Sequence, residues 1–183
     1  MKIDISSSWR VHAMGSVELS LPARTVWGQM RDVAAFLCID PLHSRVLVEQ
    51  GRHGATLRGS NVLIEHRVLG IGPDRLGRVL KFEEGRGFAV SDLSKRGVTV
   101  GFPHVCVYEL EEVDATHSRI HVSARGKWTA TWMPRWMVKV WLWWILRSTE
   151  SMIDGYFGLF GREWRKSEKN AACRSGASRM GTE

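Results

Sequence analysis

Four polar side chains, His66, Arg78, Asp92 and His104, stand where alternating apolar stretches would turn them toward a protein interior. Successive side chains of a strand face opposite sides, so one apolar series fixes the direction of every residue in phase with it. Val62, Ile64 and Val68 carry His66 inward; Leu76, Leu80 and Phe82 carry Arg78; Phe88 and Val90 carry Asp92; Cys106, Tyr108 and Leu110 carry His104. A lone charge away from water is expensive, so Arg78 and Asp92 are expected to meet each other or a ligand. The competing reading is a β-bulge that shifts the phase, or a place at strand ends near water.

Histidine titrates near neutral pH, which makes His66 and His104, with Asp92, candidates for acid and base in proton abstraction beside a carbonyl. A core histidine that donates to a backbone carbonyl is the alternative. The histidines fall at neither HxxxH nor HExxH spacing, so no metal site is predicted. Ser91 and Ser94 lack the Gly-x-Ser-x-Gly turn of a nucleophile. Tyr108, Trp128, Cys106, Phe88 and Val90 are expected to form an apolar wall, Tyr108 and Trp128 each with one polar handle, and Arg78 to receive an acidic group of the ligand.

The elements that must position these groups follow from the punctuation. Ser16 to Leu21 alternates as a half-buried strand, and Pro22 opens a helix with Val26, Trp27 and Met30 on its apolar side. Asp32 is placed to cap a second short helix over Val33 to Phe36. Six further strands are predicted at Val46–Glu49, Val62–Leu69, Leu76–Phe82, Phe88–Leu93, Val105–Leu110 and Arg119–Gly126. Turn residues separate most of them, as at Gly70 to Asp74, Glu84 to Gly87 and Asp114 to Thr116. No crossover helix intervenes, which disfavours a parallel sheet. On the last strand Ile120, Val122, Ala124 and Gly126 face inward, leaving His121 and Arg125 in water. From Pro134 to Trp164 the chain reads as one long helix.

This order, with Leu21-Pro22-Ala23 running into Val26-Trp27 and Phe36 ending the second helix, resembles the START-like (SRPBCC, helix-grip) superfamily of polyketide cyclases and lipid-transfer proteins over roughly Ser16 to Trp164. The resemblance implies an α+β fold: a curved antiparallel sheet of about seven strands, two short helices, and a long C-terminal helix closing a cavity for an apolar ligand. It implies no cofactor and no single activity. Family members often place a tryptophan or histidine soon after the aromatic of the second helix; here Leu37, Cys38, Ile39 and Asp40 follow Phe36. The organisation expected is an N-terminal extension over 1–15, the ligand-binding domain over 16–164, and a disordered basic tail over 165–183.

Trp136 to Leu146 is apolar nearly all round except at Lys139, so burial of one face leaves a second apolar face. That face suits the core and a homodimer contact, or an anionic lipid interface met by Arg135, Lys139 and Arg147. The run is too short to span a bilayer.

Composition sets the outer bounds. Hydrophobic residues at 44% and charged residues at 25% describe an ordinary globular chain, and 183 residues fit one domain with tails. A net charge of +7 favours an anionic contact, although Arg162, Arg165, Lys166, Lys169, Arg174 and Arg179 place part of it in the last stretch. Nucleic acid ranks last among the anions, because the aromatics lie among apolar residues and no nucleic-acid motif appears. Cys38, Cys106 and Cys173 form an odd set without CxxC spacing, and the serine-rich start lacks an apolar signal core; a cytoplasmic setting is expected.

The sequence thus predicts carriage of an apolar, lipid- or polyketide-like molecule in an internal cavity. The first alternative is a cofactor-independent cyclase or dehydratase working through the cavity histidines and Asp92. The second is a peripheral membrane or protein-interaction module acting through the tryptophan-rich helix.

Overall fold

The computed structural model describes residues 1–40, 42–49, 58–66, 74–94 and 102–177. Eight antiparallel strands form one sheet: β1 (Lys2–Ile5), β2 (Arg10–Leu19), β3 (His43–Val48), β4 (Asn61–His66), β5 (Asp74–Glu83), β6 (Gly87–Ser94), β7 (His104–Glu112) and β8 (Ser118–Lys127). Their spatial order is β1-β2-β8-β7-β6-β5-β4-β3. Two short helices, α1 (Ala23–Met30) and α2 (Val33–Leu37), link β2 to β3, and the long helix α3 (Arg135–Ala177) follows β8.

The short helices form as their caps dictate. Pro22 precedes α1, which buries Val26, Trp27 and Met30. The Trp27 indole donates to Glu84 Oε1 at 2.7 Å, tethering α1 to the β5–β6 turn. Asp32 caps α2 by accepting from the Ala35 N–H at 3.0 Å. Phe36 then stands edge-on to Phe88 and Tyr108, with ring centres 5.6 and 5.2 Å apart. Val62, Val79, Phe88, Ile120 and Phe157 are fully or almost fully buried in the main core between the sheet and the helices. A second cluster of Val11, Phe102, Trp128, Val138 and Leu142 closes the end where α3 begins.

Three expectations are corrected. The stretch 1–15, expected as an extension before the first strand, is part of the sheet: β1 pairs with the first half of β2, and the predicted strand at Ser16 starts at Arg10. Its turn lacks glycine; Ser6 accepts from the Trp9 N–H, and Trp9 itself adopts φ 62°, a conformation that a sequence pattern does not announce. With β1 the sheet has eight strands, in keeping with the about seven expected. The tail is not disordered from residue 165, since α3 runs on to Ala177; residues 178–183 lie outside the described residues, as do 67–69 of the predicted Val62–Leu69 strand and 70–73 of the predicted turn.

The third correction concerns phase on β5. Val79 is fully buried, while Leu76 and Leu80 are 47% and 42% exposed. The register against β6 shifts between Val79 and Lys81, so one extra residue lets both Val79 and Phe82 turn inward. Arg78 consequently points out, where its Nε donates to Asn61 Oδ1 at 3.3 Å, and Arg75 takes the interior position.

Candidate functional site

Between the concave face of the sheet and α3 lies a cavity of about 270 Å³. Its apolar wall includes Leu37, Ile64, Val90, Val122, Leu146 and Tyr108. Its polar wall gathers where β4 ends, β5 begins, β6 ends and β7 begins: His66, Arg75, Asp92 and His104. Sheet register makes this cluster. His104 lies directly across from Asp92 in the β6–β7 ladder, so both side chains emerge on one face. Gly126, across from His104 on β8, leaves room for it, since a Cβ there would overlap the Pro103 carbonyl oxygen and the His104 Cβ.

Asp92 is the hub. It is 5% exposed, with Oδ1 3.4 Å from Arg75 Nε and Oδ2 3.4 Å from His66 Nε2 and 3.7 Å from His104 Nε2. The Arg75–Asp92 contact is an ion pair outside hydrogen-bonding geometry; Arg75 also donates through NH1 to the Phe102 carbonyl at 3.3 Å. The expected arginine–aspartate pair therefore exists, with Arg75 in the place predicted for Arg78.

Burial keeps both histidines neutral. It pulls His66 down to about 4, the charge of Asp92 offsetting only part of the effect. His104 is lowered for the same reason. The ring nitrogen Nδ1 of His104 sits 2.7 Å from the Phe102 carbonyl. A carbonyl can only accept, so that nitrogen carries the proton and Nε2 presents a lone pair toward the cavity. His43 is fixed in the same way against the Leu37 carbonyl at 2.7 Å, and its ring stands edge-on to His66. Asp40, also on the lining, accepts from the Leu42 N–H at 2.9 Å and the Thr149 hydroxyl at 3.1 Å.

Arg75 and Asp92 offset each other's charge and burial disfavours charge on His66 and His104, so Asp40 adds a second carboxylate to this wall. The polar end carries acceptors in the Asp92 and Asp40 carboxylates and the bare Nε2 of His104. Burial also pushes the Cys106 thiol and the Tyr108 hydroxyl up, which favours the protonated form of both. Among the described residues, no group of three or more His, Cys, Asp or Glu is arranged to hold a metal ion.

Of the residues singled out from sequence, His66, His104, Asp92, Cys106, Tyr108 and Val90 line the cavity. Phe88 packs behind it against Phe36 and Tyr108. Trp128 belongs to the second cluster, its ring tilted on Phe102 and its indole N–H spent on the Ala130 carbonyl at 3.0 Å. Arg78 is outside. Sequence reasoning missed Asp40, His43, Arg75 and the face of α3 formed by Leu142, Ile145, Leu146 and Thr149. The valine in phase with Arg75, Val79, was a signal for that arginine, but Leu76 and Leu80 outweighed it.

No protein-family model matches the sequence, and no curated protein matches it. Solved structures do. A START superfamily protein from Mycobacterium smegmatis superposes with a TM-score of 0.64 at 13% identity, covering 81% of this chain and 98% of that one. The Zhui aromatase/cyclase from Streptomyces sp. R1128 gives 0.63 at 17% identity, with 81% and 94% covered. Ara h 8.0201 gives 0.54 at 14% identity, with 79% and 97% covered. An eight-stranded antiparallel sheet, two short helices and a long C-terminal helix, superposing on these proteins over about four-fifths of the chain, give it the helix-grip fold of the START-like superfamily.

Proposed function

We propose that the protein binds a compact apolar molecule carrying a neutral hydroxyl or phenol group in the cavity beneath α3. The supporting observation is the two-part lining: an apolar wall, and at one end a charge-compensated cluster of Asp92, Arg75, His66 and His104. Apolar surface supplies the affinity and the acceptors orient a hydroxyl. An acidic head, which suited an inward Arg78, is disfavoured once the interior arginine is spent on Asp92 and Asp40 adds a second carboxylate. The cavity lies near the lower end of the roughly 300–1,000 Å³ usual for ligand pockets, which favours a one- or two-ring molecule over a two-chain lipid.

Mass spectrometry of what copurifies names the natural ligand. Thermal unfolding with 2-naphthol against 2-naphthoate tests its chemistry: a ligand at 100 times its Kd stabilises by about 2.7 kcal/mol. The naphthol is expected to raise Tm and the naphthoate to leave it unchanged, and Ala124→Leu, which fills the cavity, to abolish the rise. Equal stabilisation by naphthoate refutes the reading.

One observation favours a second reading, cofactor-independent cyclase or dehydratase chemistry, which also fits the likeness to the Zhui aromatase/cyclase. The bare Nε2 of His104 points into the cavity beside Asp92, placed to take a proton from a carbon next to a carbonyl, with Tyr108 O–H to hold the enolate oxygen. The lowered basicity of both histidines weighs against it. A carrier keeps its ligand affinity and shows no turnover to lose in His104→Gln; an enzyme keeps binding and loses turnover.

A further inference from the structure

We propose that the outer face of the first turns of α3 docks on an anionic lipid surface, a role independent of what the cavity holds. Two apolar stripes run back to back along this segment. The inner one, Val138, Leu142 and Leu146, is 0–6% exposed against the core. The outer one recurs at the i, i+4, i+7, i+8 spacing of a buried face, as Trp136, Val140, Trp143 and Trp144, yet these residues are 66%, 58%, 51% and 51% exposed. Trp132, in the turn that leads into the helix, is 82% exposed.

Tryptophan is the side chain that settles at a membrane–water interface, where an apolar body and a polar N–H are both satisfied. The charges match that partner. No acidic residue occurs between Trp128 and Thr149, while Arg135, Lys139 and Arg147 do. The first acid on the helix, Glu150, is 7% exposed; its Oε1 accepts from the Ser16 N–H at 3.2 Å and its Oε2 lies 3.6 Å from Arg147, whose side chain is still 69% exposed. On β1, Asp4 is paired with Lys2 at 3.4 Å.

A second copy of the chain fits this face less well. In a twofold dimer through this stripe the same cations would meet each other, and among the described residues of these first turns no exposed carboxylate stands to receive them. An anionic bilayer receives all of them, and a helix lying in the interface plane buries the outer stripe without spanning. Among the described residues no helix is long and apolar enough to cross a membrane.

The test is co-sedimentation of the full chain with vesicles of phosphatidylcholine containing phosphatidylserine and with phosphatidylcholine alone, at low and high salt. Binding to the anionic vesicles is expected to exceed that to neutral ones and to fall with salt. At about fivefold per cation, Lys139→Glu, which changes two charges, should weaken it by about 25-fold. The variant Trp136→Ser/Trp143→Ser/Trp144→Ser should sediment poorly while keeping the wild-type Tm and circular dichroism. Failure to bind anionic vesicles, or unchanged binding by the triple variant, overturns the proposal. So does a wild-type dimer in analytical ultracentrifugation that the triple variant converts to monomer, since the face then belongs to a second copy.

Discussion

Replacing Asp92 by asparagine keeps the shape of the cavity's polar end and removes its hub charge. Arg75 Nε lies 3.4 Å from Asp92 Oδ1, and the two side chains are 13% and 6% exposed. At that separation and an effective dielectric of about 20, the attraction is roughly 5 kcal/mol. The variant forfeits this and leaves the guanidinium buried beside neutral groups, a situation that costs about 3–5 kcal/mol in general. Asparagine still offers one acceptor oxygen, so the lower end, about 3 kcal/mol, is expected. In a chain of this size that lowers Tm by roughly 6–12 °C. Urea unfolding of four proteins measures it: wild type, Asp92→Asn, Arg75→Met, and the double variant, with Arg78→Ala as a control. Arg75→Met strands the carboxylate and is expected to be comparably harmful. The double variant removes both charges and should recover most of the loss, because well-packed apolar replacements of buried pairs are often neutral. Arg78→Ala should stay within about 0.5 kcal/mol, as an exposed position does. If Asp92→Asn costs less than about 1 kcal/mol, or if the double variant is as unstable as the two singles summed, the buried pair is not what organises the site.

Two further outcomes follow from the same geometry. Since His66 is lowered from 6.5 to about 4 by burial, the unfolded chain binds more protons than the fold between those values. Its contribution is therefore fully present at neutral pH and drains as pH falls from about 6.5 to about 4, by about 3 kcal/mol, with His104 acting in the same direction. Urea midpoints across that range measure it, and His66→Gln should flatten the slope; a midpoint insensitive to pH there contradicts the burial of neutral imidazoles. On β5, a Cβ at Gly77 would overlap the Ser91 carbonyl oxygen, so Gly77→Ala must part the β5–β6 ladder and is expected to cost about 2–3 kcal/mol by denaturant unfolding, whereas Gly28→Ala, on the exposed side of α1 with open space beside it, should stabilise by about 0.5–1 kcal/mol.

The sequence by itself determined the order of elements from β2 to α3, because Pro22, Asp32, the turn residues and period-two alternation act through local sterics and hydrogen bonds. It also determined the inward direction of His66, Asp92 and His104, since burial alternates along β4 up to His66 and the β6–β7 register runs without a shift through Asp92 and His104. Only the tertiary structure decided which arginine joins them. The slip on β5 depends on how that strand matches β6, a contact between distant residues, and Leu76 and Leu80 carry no local mark of being exposed. Tertiary structure likewise decided that the N-terminal stretch is a strand: Ile3 and Ile5 alternate with Lys2 and Asp4, but four residues are too short a pattern to stand alone and are held by their ladder to β2. The bounds of the cavity, and the approach of His43, Asp40 and Thr149 to it, were set by the packing of α2 and α3 over the sheet. Burial is a property of the assembled layers, and no single segment encodes it.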